Sequence, residues 1–270
     1  MGTFIEWLIY LFLGVLQGIT EPLPISSSGH LLIARTLLGI GELDVFFEVM
    51  VHFASFFAVA YLLKDKLLEL IHGLWSFIIK KEEAAKKEFD YVVLLIIASI
   101  PVGVIGILAR TPLERFLEGS SLLVVGVGLI TTAGFLWSLK YFTRSSDKTL
   151  NIKDALFIGL FQALAIIPGI SRSGSTVAGG LYRKINIKDL FEFSFLLYLP
   201  VTFAAGVLEI FSIKSGEVSW LNLGTAFIVS MIVTYYALKW FRAMAFQGRF
   251  KGFAIYCFSL GVLSIILFLV

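Results

Sequence analysis

Apolar residues in this chain gather into long uninterrupted runs rather than alternating with polar ones. Six runs, roughly 45–63, 91–109, 119–139, 190–208, 218–238 and 252–270, are long enough as helices to cross about 30 Å of hydrocarbon at about 1.5 Å per residue. Without water to satisfy backbone groups, such runs should be helical: they exceed a barrel strand in length and lack its period of two. The expected fold class is all-α, a polytopic membrane protein with six transmembrane helices. Two further apolar stretches are too short to span. Residues 7–16 (WLIYLFLGVL) stop at Gln17 and then meet Glu21, Pro22, Pro24, three serines, Gly29 and His30. Residues 155–167 pass Gln162 and break at Pro168-Gly169 before SRSGST. Each reads as half of a re-entrant helical hairpin.

The two short segments also resemble each other. At an offset of 145, GVLQGITEPLPISSSGH (14–30) and GLFQALAIIPGISRSGS (159–175) share six of 17 positions, and similar span openings follow, FFEV at 46–49 and LFEF at 190–193. The chain therefore reads as one membrane domain made of two repeats, about 1–140 and 150–270. Loop charge gives the orientation, because Lys and Arg accumulate on the cytoplasmic side. Alternating through six spans puts 64–88, 140–153, 183–188 and 239–251 on one side, with 17 of the 22 Lys and Arg. The other side keeps Arg35, Arg110, Arg115 and Lys214, and Arg172 lies inside a motif. Both termini are then expected outside, and the two hairpins enter from opposite faces with their tips meeting near the midplane. That is an inverted-topology repeat.

Composition narrows the alternatives. With 58% hydrophobic and 15% charged residues, the chain cannot present the surface of a soluble domain of this length. A net charge of +3 gives no basic footprint for nucleic acid. Cys257 has no partner cysteine, so no disulfide framework exists. Glu6 stands where a signal peptide would carry Lys or Arg, and no cleavage is expected.

The chemistry collects at the two breaks. Gln17 and Glu21 lie four apart and could share a divalent cation through oxygen ligands; an interfacial or structural Glu21 is the plainer alternative. In ISSSGH, serines of N-cap type precede a helix start, so Ser26, Ser28 and backbone N–H groups could converge on an anion. Ser27 and His30 lie three apart, which suits a nucleophile with an acid or base; otherwise the small residues serve close helix packing. Ser171, Ser173, Gly174 and Thr176 surround Arg172, and an arginine at this depth calls for an anion, either a phosphate or Glu21. Ser173, Gly174 and Thr176 are counted with Arg172 as phosphate-binding candidates. His52 reads as a satisfied core residue, His72 as lying in or beside a cytoplasmic loop. Glu48 and Glu192 either orient the motif residues or sit at an interface. No GxxxxGK[ST] is present, so nucleotide hydrolysis is not indicated.

QGITEPLPISSSGH at 17–30 and PGISRSGST at 168–176, together with FEFSFLLYLP at 191–200, closely resemble the signatures of the undecaprenyl-diphosphate phosphatase family, also called the bacitracin-resistance family. The resemblance covers nearly the whole chain and implies six spans with two re-entrant hairpins. It implies metal-dependent hydrolysis, with Mg²⁺ or Ca²⁺, of the polyprenyl diphosphate carrier to its monophosphate, recycling the carrier for cell-wall synthesis. The implied location is the plasma (inner) membrane, with the site opening outward. Carried over, the family motifs fall on Gln17, Glu21, Ser27, His30 and Arg172: Glu21, with or without Gln17, is expected to hold the metal, and either Ser27 attacks with His30 exchanging protons or His30 activates a water nucleophile. Gln17 weakens a two-carboxylate site, and Pro22 stands where the family usually has an aromatic residue. Oligomeric state is left open, a homodimer included. Inverted repeats also suit a transporter or lipid flippase. An acid-phosphatase type of lipid phosphatase would need a histidine after the arginine motif, and none follows His72.

The loop-charge asymmetry carries one direct test. A cysteine at residue 84, introduced in a Cys257→Ser background, should react with an impermeant thiol reagent in inverted vesicles and stay unlabelled in intact cells. Labelling in intact cells overturns the orientation.

Overall fold

The structure is a computed structural model describing residues 3–40, 45–117, 121–142, 148–210 and 219–270. Of the basic positions counted above, Arg144 and Lys214 lie outside the described residues, as do the side chains of Arg110 and Arg115 and the starts of the runs at 119–139 and 218–238. The described residues form α1 (Thr3–Thr20), α2 (Ser27–Leu37), α3 (Val45–Leu62), α4 (Lys64–Ile78), α5 (Lys86–Leu117), α6 (Ser121–Ser138), α7 (Ile152–Leu164), α8 (Arg172–Tyr182), α9 (Ile187–Ile210), α10 (Trp220–Phe246) and α11 (Lys251–Leu269). No strand occurs among them.

Five of these helices, α5, α6, α9, α10 and α11, are long and apolar enough to cross a membrane. The expected run at 45–63 is helical as α3, which is followed by a bend of 79° into α4; counting that bent pair as one span brings the described residues to six. At 18 residues α3 reaches about 27 Å, just short of the hydrocarbon thickness, and Lys64, Asp65 and Lys66 then favour leaving it. The stretch 64–78, read above as loop, is thus a helix that buries Leu70, Gly73 and Ser76.

Polarity is inverted relative to a water-soluble protein. Gln17, Ser55, Thr132, Gln162, Ser194 and Thr234 are buried, whereas Ile96, Ile100, Leu108, Ile228 and Ile232 are exposed. Such a surface suits lipid, and the buried polar groups pair across helices. Ser55 meets Thr234 at 3.0 Å, and the Ser264 hydroxyl donates to the Leu122 carbonyl at 2.7 Å.

Close backbone contact sets the helix pairing. α1 packs on α10 and α7 on α5, while α6 packs on α11 and α3 on both α9 and α10. Gly14 lies so near α10 that a Cβ there would be 2.8 Å from the Ala226 carbonyl oxygen; at Gly159, facing α5, the Ala98 oxygen would be 2.3 Å away. Between α6 and α11, Gly126 and Gly261 face each other in the same manner. Phe53 and Phe56 of α3 pack on Phe203 of α9.

Both short segments are helix, break and helix. α1 ends ahead of Pro22 and Pro24, which lack the N–H that a further turn would need. α2 is then capped by Ser26, whose hydroxyl accepts from the Gly29 N–H at 3.4 Å. Ser26 holds a φ of 68°, a conformation that non-glycine residues rarely adopt. α7 begins at the Asn151 cap, with buried Asp154 paired to Lys148 and Arg183, both at 2.7 Å. It ends before Pro168-Gly169, where Gly169 has a φ of 92° and a Cβ would lie 2.3 Å from the Val125 carbonyl oxygen. Ser171 then caps α8, accepting from the Gly174 N–H at 3.2 Å.

Gly159→Val should lower stability by about 1–3 kcal/mol, because the added carbons must displace the α5 backbone. Gly224→Ala on α10, where a Cβ meets nothing within 4 Å, should cost nothing. Thermal melts of detergent-purified variants check this, and equal melting temperatures would remove the close α5–α7 contact.

Candidate active site

The two breaks meet inside the bundle. Ser173 of α8 donates to the Leu23 carbonyl at 3.1 Å, and the Cys257 thiol of α11 lies 3.7 Å from the Pro24 carbonyl oxygen. Behind the second break, Thr132 of α6 donates to the Gly169 carbonyl at 3.0 Å and accepts from the Ser171 N–H at 2.9 Å. The Leu23, Pro24 and Gly169 carbonyls and the Ser171 amide thus find partners within the protein, as backbone in a membrane interior must.

Glu21 is the centre. Its side chain is 8% exposed, and its two oxygens receive donors from different parts of the chain. Oε1 takes Nη2 of Arg172 at 3.3 Å. Oε2 takes the Ser27 hydroxyl at 2.5 Å and Nε2 of Gln17 at 3.1 Å, with Nε2 of His52 at 3.8 Å. The Arg172 guanidinium stacks over Tyr198 of α9, 4.0 Å from the ring centre, and its Nη1 is buried without a partner among the described residues. Beside these groups is a cavity of about 410 Å³ whose wall includes Glu21, Ser26, Ser27, Ser28, His52 and Arg172. Val49, Phe53, Val102, Val201 and Ala205 make the apolar part of that wall.

Several expected site residues stand elsewhere. The Ser27–His30 pairing is not formed. Nδ1 of His30 lies 2.7 Å from the Ser26 carbonyl oxygen, which can only accept, so this nitrogen carries the proton. Nε2, 2.7 Å from the Tyr256 hydroxyl, has its lone pair occupied by that donor and holds α2 against α11. His30 is buried and is not among the cavity-lining residues. Spacing of three put Ser27 and His30 on one helix face, but Ser27 sits in the first turn, where a hydroxyl can reach back across the break to Glu21. Gln17 turns its amide nitrogen to Glu21, since a carboxylate cannot donate; among the described residues its buried Oε1 has no partner. Ser173 and Thr176 are buried and are not among the cavity-lining residues. Thr176 bonds the Arg172 carbonyl at 3.0 Å and Ser194 of α9 at 2.5 Å, fixing the turn that presents Arg172. Gly174 serves the Ser171 cap.

Two residues given no site role in the sequence, His52 and Tyr198, stand at the site. His52 meets the core expectation on one side only: Nδ1 donates to the Glu48 carbonyl at 2.8 Å, while Nε2 faces Glu21. Glu48 contributes through that carbonyl, and Glu192 is not among the lining residues. Tyr198 supports Arg172 and donates to the His52 carbonyl at 3.2 Å, and its only signal was its place in FEFSFLLYLP. As for a cation, no group of three His, Cys, Asp or Glu able to hold one occurs among the described residues. One carboxylate beside an unpartnered amide oxygen fits an ion that draws most of its oxygens from a bound phosphate and water.

Apolar outside, polar inside, and broken twice where its charges meet, the molecule is a polytopic helical membrane protein with a polar site built from two helix breaks. The chain belongs to the bacitracin resistance protein BacA family, whose sequence pattern matches residues 10–263. It is 40% identical to the undecaprenyl-diphosphatase of Oceanobacillus iheyensis over 261 residues, covering 95% of both chains. Similar identity, 40% over 270 residues, relates it to undecaprenyl-diphosphatase 1 of Bacillus cereus, covering 98% of this chain and 99% of that one. Undecaprenyl-diphosphatase 1 of Bacillus licheniformis is 37% identical over 269 residues.

Breaking one side of a buried ion pair leaves an uncompensated charge, so Glu21→Ala should cost about 3–5 kcal/mol of stability. Adding Arg172→Leu should return much of that loss. Unfolding of the two single variants and the double variant in detergent measures the coupling, and strictly additive losses would show that the two charges do not sustain each other.

Proposed function

We propose that the protein hydrolyses undecaprenyl or other polyprenyl diphosphate to the monophosphate and inorganic phosphate, recycling a lipid carrier of cell-wall synthesis. One observation carries the reading: a hydroxyl, a carboxylate and a guanidinium converge beside a cavity within a lipid-embedded bundle. The names of the similar proteins agree with it. The cavity is polar at the breaks and apolar toward α5 and α9, as a diphosphate head with a hydrocarbon tail requires.

Ser27 is the nucleophile. Its hydroxyl already donates to Glu21, which takes the proton as Oγ attacks the terminal phosphorus. The bond from that phosphorus to the bridging oxygen breaks, and the prenyl monophosphate leaves. Water then cleaves the phosphoserine, freeing phosphate and restoring the hydroxyl. Arg172 turns its unpartnered Nη1 to the phosphate oxygens and its stacking on Tyr198 keeps the fork oriented. Ser26 and Ser28 present further hydroxyls at the same wall. His30 positions the break through Ser26 and Tyr256 rather than exchanging protons with Ser27. A divalent cation, Mg²⁺ or Ca²⁺, would be held by Glu21 with the Gln17 amide oxygen and would neutralise diphosphate charge.

The inverted repeat belongs to the same proposal. Its support is that the 145-residue offset carries α1 onto α7 and Gly14 onto Gly159, each gripping a helix of the other half, α10 and α5. Loop charge supports termini outside and a site open to the outer face of the plasma membrane.

Purified protein should release inorganic phosphate from a long-chain prenyl diphosphate, stop in excess chelator, and fall to background as Ser27→Ala. A residual activity in Ser27→Ala only about 10²–10³-fold down would make water the nucleophile. No release by the wild-type protein would favour a transporter or flippase.

A further inference from the structure

We infer that Gln162 is a second-half binding residue for the substrate's diphosphate, donating its amide N–H to a phosphate oxygen. The inference rests on the hydrolase reading above and adds a residue to it. Gln162 lies on the wall of the same cavity, 1% exposed, and neither its amide nitrogen nor its amide oxygen has a hydrogen-bond partner among the described residues. An amide in that state is costly in an apolar interior, and it is stable there when a ligand completes it.

The matching residue of the first half explains why this amide has no protein partner. At the offset of 145, Gln162 corresponds to Gln17 and Ile166 to Glu21. Gln17 donates to Glu21 one turn on, at 3.1 Å; Gln162 has Ile166 at that place and no carboxylate to receive it. The donor is therefore left on the cavity wall with Arg172, whose Nη1 is likewise buried and unpartnered. Charge balance favours an amide for this task. Glu21 and Arg172 offset one another, so an incoming diphosphate needs donors that bring no negative charge, and an amide supplies one without adding a buried cation.

The test compares wild-type protein with Gln162→Leu and Gln162→Glu in detergent, measuring both melting temperature and prenyl-diphosphate hydrolysis. Gln162→Leu should melt at or above the wild-type temperature, because an unpaired buried amide is gone. Its kcat/KM should fall about 10- to 100-fold, chiefly through KM, as the loss of a hydrogen bond to a charged group requires. Gln162→Glu, nearly the same shape, should fall further, since a carboxylate there repels the phosphate. Unchanged kcat/KM in Gln162→Leu, or a lowered melting temperature, overturns the role of Gln162 while wild-type turnover keeps the hydrolase reading. A wild-type protein without turnover overturns both.

Discussion

Glu21 and Arg172 are 151 residues apart in the chain and 3.3 Å apart in the structure. Each would be expensive alone at this depth, and each is tolerable because the other is there. Neither sits within a continuous span. Both lie where a helix has been interrupted, so their pairing forces two breaks to one place in the bundle, and the cavity is the space left beside that meeting. The polar contacts around it follow from the same constraint. With Glu21 fixed, Ser27 has an acceptor within reach; with Arg172 fixed, Tyr198 has a cation to cover.

Bringing two broken helices together requires backbone to approach backbone, and glycine is what allows it. A Cβ on Gly29 would lie 3.3 Å from the Gly169 Cα, and one on Gly174 would lie 3.4 Å from the Pro24 Cβ. These are the same contact seen twice, because the offset of 145 carries Pro24 to Gly169 and Gly29 to Gly174. The caps repeat as well, Ser26 to the Gly29 N–H and Ser171 to the Gly174 N–H. Small residues at these positions are therefore needed for geometry before any chemistry is asked of them, and the serines serve both.

Much of this was legible in the sequence, and what was not has a physical reason. Apolar runs announced α5, α6, α9, α10 and α11 because the bilayer imposes their length. Prolines and glycines announced the breaks, and depth alone pointed from Arg172 to an anion or to Glu21. The α3–α4 bend was missed since the 64–78 stretch carries both charges and apolar residues, and its apolar face became visible only once folded. Ser27 and His30 were paired by helical spacing, which says which face two side chains share but not what each meets across the bundle. Tyr256, from the far end of the chain, decides the matter for His30. His52 and Tyr198 sit in apolar runs that differ little from any other span, and only the α3–α9 contact turns them toward Glu21.

The two breaks follow the same helix–break–helix plan and differ in charge, and the difference makes one site where they meet. Ser27 and Arg172 occupy equivalent first-turn positions and both reach Glu21. Were a carboxylate to stand at Ile166, which lies on the cavity wall, two negative charges would share a single arginine. The pair of carboxylates would resist ionising together and would repel a phosphate. An apolar residue at 166 removes that conflict, leaves the arginine partly uncommitted, and gives the cavity a face that a hydrocarbon chain can touch. The difference between the two breaks is thus what gives the cavity wall a carboxylate from one break and a guanidinium from the other beside its serine hydroxyls, each able to do what the others cannot.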